Sequence, residues 1–152
     1  MDWETPVELF DALDSVFEFE LDAAATAANT KCDNFISPQE DAFGVDWSSR
    51  VPAGSSVWLN PPYGRGVGKW LEKAYNESLR GITVVVLIMV RTDTNWWKDW
   101  AMRAAEIRLI RGRVHFERNG ESGPATAPSA VLVFSEDLRT PAWTLVRLPR
   151  GN

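Results

Sequence analysis

The stretch VWLNPPYGRGVGKWLEKA, residues 57–74, contains the pattern from which the fold of this chain is deduced. An apolar run leads directly into Asn60, Pro61, Pro62 and Tyr63, which we call the Asn-Pro-Pro-Tyr loop. The two prolines fix their backbone angles and remove two amide donors, so carbonyl acceptors are left. After the glycines, apolar residues recur at helical spacing. The stretch therefore predicts a strand, a rigid loop of acceptors beside an aromatic ring, and a helix.

The chain before this stretch predicts a helix followed by a strand. Thr5 to Glu8 has the form of a capping box, with Thr5 as N-cap, Pro6 at the first helical position and Glu8 reaching back. Apolar residues continue at helical spacing as far as Phe17, and the alternating segment after it predicts a strand that stops at Asp22. A short helix over 27–31, a brief strand over 34–36 and a strand over 55–59 are expected next.

The second half of the chain predicts alternating helices and strands, followed by strands alone. The β-branched run over 82–90 is typical of a strand that is buried on both faces. EIRLIRGRVHFE, residues 106–117, predicts two strands joined by an Arg-Gly turn. The remaining expected elements are helices over 67–79 and 95–105 and strands over 130–134 and 143–148. This order predicts an α/β sheet with helices on both faces and antiparallel strands at the C-terminal end.

Composition indicates one domain over residues 1–152, because a chain of 152 residues with 45% hydrophobic content can bury its own core. One cysteine excludes an internal disulfide, and neither a signal peptide nor a membrane-spanning run is visible, so we expect a cytoplasmic protein. The net charge of −5 argues against a nucleic-acid partner, but five arginines within 103–118 permit a basic face. No side chains stand at metal-ligand spacing, so no metal is expected.

The chemistry of the Asn-Pro-Pro-Tyr loop suits an amino group on a flat heterocycle. Ligands of α/β sheets bind at the carboxyl ends of the strands, where this loop and Asp22 are both predicted to lie. Acceptors on both hydrogens of such an amine would pull its nitrogen toward tetrahedral geometry and free its lone pair without a strong base. Tyr63 could stack on the ring, and a base in a duplex would have to be flipped out to reach it.

Five blocks resemble, in the same order, the phage-type DNA N6-adenine methyltransferases (the Dam-like family). The blocks are WETPVELFDAL, FELDAAAT, VWLNPPYGRGVGKWLEKA, VRTDTNWWKDW and IRLIRGRVHF. The resemblance implies a Rossmann-like sheet, S-adenosyl-L-methionine as the methyl donor and double-stranded DNA as the substrate. It implies that Asn60 and the Pro61 carbonyl hold the target amine within a catalytic loop completed by Pro62, and that Tyr63 stacks on the flipped base.

The same resemblance implies a cofactor site at the start of the chain. Thr5 and Pro6 match the segment whose helix start faces the methionine carboxylate, where free amides favour an anion. Asp22 matches the acid that takes the methionine ammonium, and Ala23 begins the turn after it. Many methyltransferases have glycines in that turn. Alanine permits close approach but not a positive φ, so we expect a different turn.

Further contacts are implied at three other places. Asp46 and Trp47 resemble the acid–aromatic step that contacts the cofactor adenine, and either Glu40 or Asp41 could bind the ribose hydroxyls. Arg91, Arg111 and Arg113 are the candidates for substrate contacts.

Plainer interpretations stay open for several of these residues. Thr5 and Pro6 also suit a helix cap, Asp22 an N-cap, and Asp46 with Trp47 an ordinary loop. The arginines are also typical of a solvated face.

Two alternatives to the predicted activity remain open at this point. The same chemistry could act on RNA or on a protein glutamine amide, since the Asn-Pro-Pro-Tyr motif also occurs in such enzymes. A non-catalytic nucleic-acid-binding or protein-binding module could retain the fold, an interpretation that the alanines after Asp22 keep open. A P-loop hydrolase is excluded because no Gly-Lys-Ser/Thr ending follows the glycines.

Overall fold

The computed structural model describes residues 4–64, 66–118 and 121–136 and the backbone of residues 142–147. The helices are α1 (Val7–Phe17), α2 (Val67–Ser78) and α3 (Asn95–Asp99). The strands are β1 (Phe19–Asp22), β2 (Ser56–Leu59), β3 (Thr83–Met89), β4 (Glu106–Arg111), β5 (His115–Arg118), β6 (Glu121–Pro124), β7 (Ser129–Phe134) and β8 (Ala142–Arg147). Short 3-10 turns cover Trp47–Arg50 and Ala101–Arg103.

Six strands form one mixed sheet in the order β1-β2-β3-β7-β4-β8. The pairs β1–β2, β2–β3 and β4–β8 are parallel, and β7 runs antiparallel to both of its neighbours, β3 and β4. The predicted α/β sheet is confirmed. The prediction that the C-terminal strands are antiparallel is right for β7 and wrong for β8, which runs alongside β4 in the same direction.

Helices cover both faces of the sheet, as predicted. Successive residues of β3 alternate between two cores, with Val84 and Val86 on one side and Val85 and Leu87 on the other. The first core includes residues of α2 and α3, and the second includes residues of α1. None of the helices described is long and apolar enough to cross a bilayer.

Helix α3 packs closely on α2 at a glycine. A Cβ added to Gly68 would lie 2.9 Å from the Cβ of Trp96, which is shorter than real contacts allow. The α3 helix itself starts as the sequence predicts, because the Thr94 hydroxyl accepts from the Trp97 amide at 3.2 Å. It is shorter than the predicted 95–105, since the chain turns into the 3-10 segment after Trp100.

The predicted capping box at the start of α1 is wrong. Pro6 occupies the N-cap position, and no side chain caps the helix there. Thr5 is 2% exposed, and its hydroxyl oxygen instead accepts a hydrogen bond from the Asn60 side-chain amide at 3.1 Å. The threonine is therefore held by a residue 55 positions away, which local sequence rules do not consider.

Two further elements differ from the prediction. The predicted hairpin between β4 and β5 is wrong, because the chain turns at Gly112 (φ 83°) and β5 leaves the sheet to pair with β6. The predicted helix over 27–31 is a turn, in which the Thr26 amide donates to the Asn29 side chain at 2.7 Å. The strand expected over 34–36 is reduced to one bridge between Asp22 and Phe35.

Candidate active site

Three cavities lie beside the segments that follow the carboxyl ends of the parallel strands. The first, the Ala23 cavity, has a volume of about 250 Å³ and is lined by Ala23–Thr26, Asn29, Ile36–Pro38, Asp41–Phe43, Pro62 and Trp70. The second, the Asp22 cleft, holds about 30 Å³ between Glu4, Thr5, Asp22, Ala24, Asn29, Lys31, Trp58 and Asn60. The third, the Tyr63 cavity, has about 220 Å³ and is lined by Tyr63, Met89, Phe116 and Gly123–Thr126.

The Asn-Pro-Pro-Tyr loop contributes a residue to each cavity. Asn60 lines the Asp22 cleft, Pro62 lines the Ala23 cavity and Tyr63 lines the third. Pro61 between them is buried. The loop follows β2 directly, and β2 lies between β1 and β3, so its position is set by the middle of the parallel part of the sheet. A ligand in any of the three cavities would therefore contact one residue of the loop.

The Ala23 cavity is an apolar slot with one carboxylate at its edge. The rings of Phe43 and Trp70 lie 4.5 Å apart and form part of its wall. Asp41 has a left-handed backbone (φ 58°), and its side chain accepts from the Phe43 amide at 3.2 Å. The turn at residues 23–25 contains no positive φ, as expected for alanines in place of glycines.

The Asp22 cleft is built around a buried carboxylate. Asp22 is 3% exposed, and its two oxygens accept from the amides of Ala24 at 3.3 Å and Lys31 at 3.0 Å. Burial raises the pKa of Asp22 from 3.8 to about 6, and the two amides oppose that shift. A cation bound in this cleft would stabilise the charged form of the carboxylate.

The Tyr63 cavity has mostly apolar walls. The ring of Tyr63 meets that of Phe116 edge to face, with centroids 5.8 Å apart and planes at 78°. Burial raises the pKa of the Tyr63 phenol, so this group stays protonated. Met89 from the end of β3 and the β6 end with the residues after it complete the wall. This cavity suits a flat and largely apolar ring.

The structure brings together some of the residues that the sequence predicts and leaves others apart. Thr5, Asp22 and Ala23 line the first two cavities, and Pro6 follows Thr5 at the start of α1. Asp46 and Trp47 line none of the three. Asp46 is exposed and paired with Arg80, and Trp47 is fully buried, with its Nε1 donating to the Ala42 carbonyl at 2.9 Å.

The three candidate arginines all lie on the exposed surface. Arg91 follows β3, Arg111 ends β4, and Arg113 lies two residues further on. The strands β3 and β4 run in the same direction. These arginines therefore lie at the carboxyl ends of the strands, as does the Asn-Pro-Pro-Tyr loop, and we call this region the loop edge of the sheet. Arg91 has a long contact of 3.8 Å with the exposed Asp93. These cations are therefore accessible to an anionic partner.

Several lining residues were not singled out by the sequence. Phe43 lies outside the five resembling blocks, and Trp70 and Phe116 lie within two of them but have the spacing of ordinary core aromatics. Of the two acids considered for ribose contacts, Asp41 lines a cavity, whereas Glu40 is paired with Arg50 at 2.9 Å. Over the ranges that the structure describes, no group of three His, Cys, Asp or Glu side chains could hold a metal ion.

Comparison with known proteins shows that the sequence of this chain is similar to one class of enzymes. The profile of a family described as DNA N-6-adenine-methyltransferase (Dam) matches residues 2–150. A DNA N-6-adenine-methyltransferase of Haemophilus phage HP1 is 34% identical over 139 residues, which cover 87% of this chain and 77% of the phage protein. A protein of the same name from Escherichia phage T1 is 30% identical over 109 residues, covering 71% of this chain and 44% of that protein.

Proposed function

Because this chain belongs to the DNA N-6-adenine-methyltransferase (Dam) family, we propose that its Asn-Pro-Pro-Tyr loop carries out methylation of adenine N6 in DNA, with S-adenosyl-L-methionine as the methyl donor. One observation carries the proposal: the loop contributes Asn60 and Pro62 to two adjoining cavities and Tyr63 to a separate apolar cavity. A donor and an acceptor of a methyl group would meet at such a loop.

The residues of the first two cavities fit the cofactor. The Ala23 cavity and the Asp22 cleft share Ala24 and Asn29, so they adjoin along one groove. Asp22 would hold the ammonium group, since its buried carboxylate favours a bound cation. The Phe43 and Trp70 walls suit the adenine ring, and Asp41 suits the ribose hydroxyls. When bound, the cofactor supplies a methyl group on a positively charged sulfur.

The Tyr63 cavity would receive the target adenine after it leaves the DNA stack. Its apolar walls suit a base ring, and a base bound there would lie beside Tyr63 with its exocyclic amine toward the rest of the Asn-Pro-Pro-Tyr loop. The Asn60 side-chain oxygen and the Pro61 carbonyl would accept the two hydrogens of that amine. Acceptors held in advance in a site that excludes water stabilise the charge that develops on nitrogen. The surplus proton on the methylated nitrogen would leave to water.

The fold and the surface charge support the same proposal. The parallel strands β1, β2 and β3, with ligand residues after their carboxyl ends, agree with a Rossmann-like methyltransferase sheet. Arg91, Arg111 and Arg113 would contact DNA phosphates at that edge. Such contacts position a duplex without reading its sequence.

The experiment that tests this proposal is a panel of methyl acceptors. Labelled S-adenosyl-L-methionine is incubated with the protein and with unmethylated duplex DNA, RNA or a glutamine-containing protein extract, and products are identified after digestion. We expect label in N6-methyladenine from DNA alone. Label in RNA nucleosides or in methylglutamine, with none in DNA, would replace the proposed acceptor. A calorimetric titration that shows no cofactor binding would exclude the enzyme and favour a binding module.

A further inference from the structure

We propose that residues Glu4 and Thr5 together with the β5–β6 hairpin act as one brace that fixes both ends of the Asn-Pro-Pro-Tyr loop. Thr5 and Phe116 are its positioning residues, the first for Asn60 and the second for Tyr63. This inference rests on the proposed function, because it concerns how the loop is held for transfer. It does not require that either residue touches DNA.

The first end of the loop is held by Thr5. The Asn60 Nδ2 group donates to the Thr5 hydroxyl at 3.1 Å, and Thr5 is 2% exposed. An asparagine side chain has similar shape in its two flipped orientations, but only its oxygen accepts a hydrogen from an amine. A hydroxyl can accept from Nδ2 or donate to Oδ1, so the contact with Thr5 restrains the rotation of the Asn60 side chain; in the structure the hydroxyl accepts from Nδ2, which directs Oδ1 to the opposite side of the amide. Thr5 thus holds the Asn60 side chain in the position from which Oδ1 can face the target amine.

The second end of the loop is held by Phe116. This ring is 4% exposed and meets the Tyr63 ring edge to face at 5.8 Å. Such contacts between aromatic rings have a preferred edge-to-face geometry. Phe116 therefore restricts the orientation of the Tyr63 ring, which forms a wall of the cavity proposed for the base.

Backbone hydrogen bonds connect the segment that contains Thr5 to the strand that contains Phe116. The Glu4 amide donates to the Glu117 carbonyl at 2.7 Å, and the Glu117 amide donates back to the Glu4 carbonyl at 3.0 Å. Glu4 immediately precedes Thr5, and Glu117 immediately follows Phe116. A shift of the hairpin would thus be transmitted to Thr5 as well as to Tyr63. In the main sheet β4 already pairs with β7 and β8, and β5 pairs instead with β6 and with Glu4.

The test begins with two matched substitutions at Thr5. Thr5→Val keeps the shape and removes the acceptor, whereas Thr5→Ser keeps the acceptor. We expect Thr5→Val to lower kcat about tenfold, the loss that corresponds to one hydrogen bond, and Thr5→Ser to retain most of it. Because Thr5 also lines the Asp22 cleft, cofactor affinity is measured by calorimetry for both variants and kcat is determined at saturating cofactor. A Thr5→Val protein with native kcat at saturating cofactor would overturn the role of Thr5.

The role of Phe116 at the Tyr63 end of the loop is tested with Phe116→Leu. Phe17→Leu serves as the control. Both rings contact aromatic neighbours, but Phe17, at the end of α1, packs against Phe19 of β1 and lines none of the three cavities. We expect Phe116→Leu to lower kcat/KM for DNA about tenfold and Phe17→Leu to leave it near native. Equal losses in the two variants would show a general packing effect and would overturn the role of Phe116.

The energetic coupling between Thr5 and Phe116 can be measured without methyl transfer. A double-mutant cycle of Thr5→Val and Phe116→Leu on the free energy of unfolding of the cofactor-free protein should be non-additive, because contacting networks couple and independent sites add. Strict additivity would overturn the single brace even if both positions affect kcat. Since this readout is independent of methyl transfer, it separates failure of the brace from failure of the proposed function.

Discussion

Asp22 is the residue at which burial and ligand binding act in opposite directions. Burial in the Asp22 cleft favours its neutral form and raises its pKa to about 6, whereas a bound ammonium group favours its charged form. The carboxylate is therefore largely protonated below pH 6 in the cofactor-free protein and ionised above it. Only the ionised form pairs with the ammonium group.

The pH dependence of cofactor affinity follows from that sign. We expect S-adenosyl-L-methionine to bind with nearly constant affinity above about pH 7 and progressively more weakly as the pH falls through the pKa of Asp22, about 6. In Asp22→Asn, binding should be weaker at neutral pH, and the fall through pH 6 should disappear. Calorimetric titrations at several pH values measure both. A native affinity that is unchanged from pH 8 to 5 would show that Asp22 does not bind the ammonium group.

Single residues also show where sequence reasoning ends. The position of Asp22 at the end of β1 was predictable, because alternation with acids stops there. The partner of Thr5 was not, since Asn60 is 55 residues away and the local sequence favours a helix cap. The acid beside the Ala23 cavity could be narrowed to Glu40 or Asp41 from the sequence. The choice needed the structure, which pairs Glu40 with Arg50 and leaves Asp41 at the cavity.

At the scale of elements, the segment between β1 and β2 is proposed to bind the cofactor nucleoside. Asp41→Asn should weaken cofactor binding about tenfold, because a carboxylate bonded to ribose hydroxyls is replaced by a neutral group. Glu40→Gln is the matched control, since exposed ion pairs such as Glu40 with Arg50 contribute little. Calorimetry on both variants measures the difference. An equal effect of the two changes would refute the assignment of Asp41.

The elements differ in how well the sequence predicts them, for physical reasons. Strand β3 and helices α1 and α2 are set by their own hydrophobic periodicity, and they are observed as predicted. The strands β4 and β5 were also predicted, but not their partners. Alternation identifies a strand without saying which edge it joins. Residues 23–46 have no clear periodicity, and their turns are fixed by side-chain bonds such as that of Asn29.

For the whole molecule, the positions of the charged residues matter more for DNA binding than the net charge does. The net charge is −5, yet Arg91, Arg111 and Arg113 are exposed at the edge beside the Asn-Pro-Pro-Tyr loop. DNA binding at this edge should release counterions, so affinity should fall as salt concentration rises.

Substitution of single arginines tests whether DNA binds beside the Asn-Pro-Pro-Tyr loop. Arg111→Ala should weaken binding to duplex DNA and reduce the slope of log affinity against log salt by about 0.9, the value for one phosphate contact. Arg80→Ala is the control. Arg80 lies between α2 and β3, at the amino end of β3 and therefore away from the Asn-Pro-Pro-Tyr loop. Fluorescence anisotropy over a range of salt concentrations measures both slopes. If Arg80→Ala lowers the slope and Arg111→Ala does not, DNA binds elsewhere.

The central claim is that Asn60 holds the target amine for methyl transfer to adenine N6. Its most direct test compares the native protein with Asn60→Ala by mass spectrometry of nucleosides from unmethylated duplex DNA, after calorimetry has shown that both proteins bind S-adenosyl-L-methionine. We expect N6-methyladenine with the native protein and a loss of at least about a hundredfold with Asn60→Ala, as for removal of one preorganised donor or acceptor. N6-methyladenine formed at the native rate by Asn60→Ala would contradict the claim.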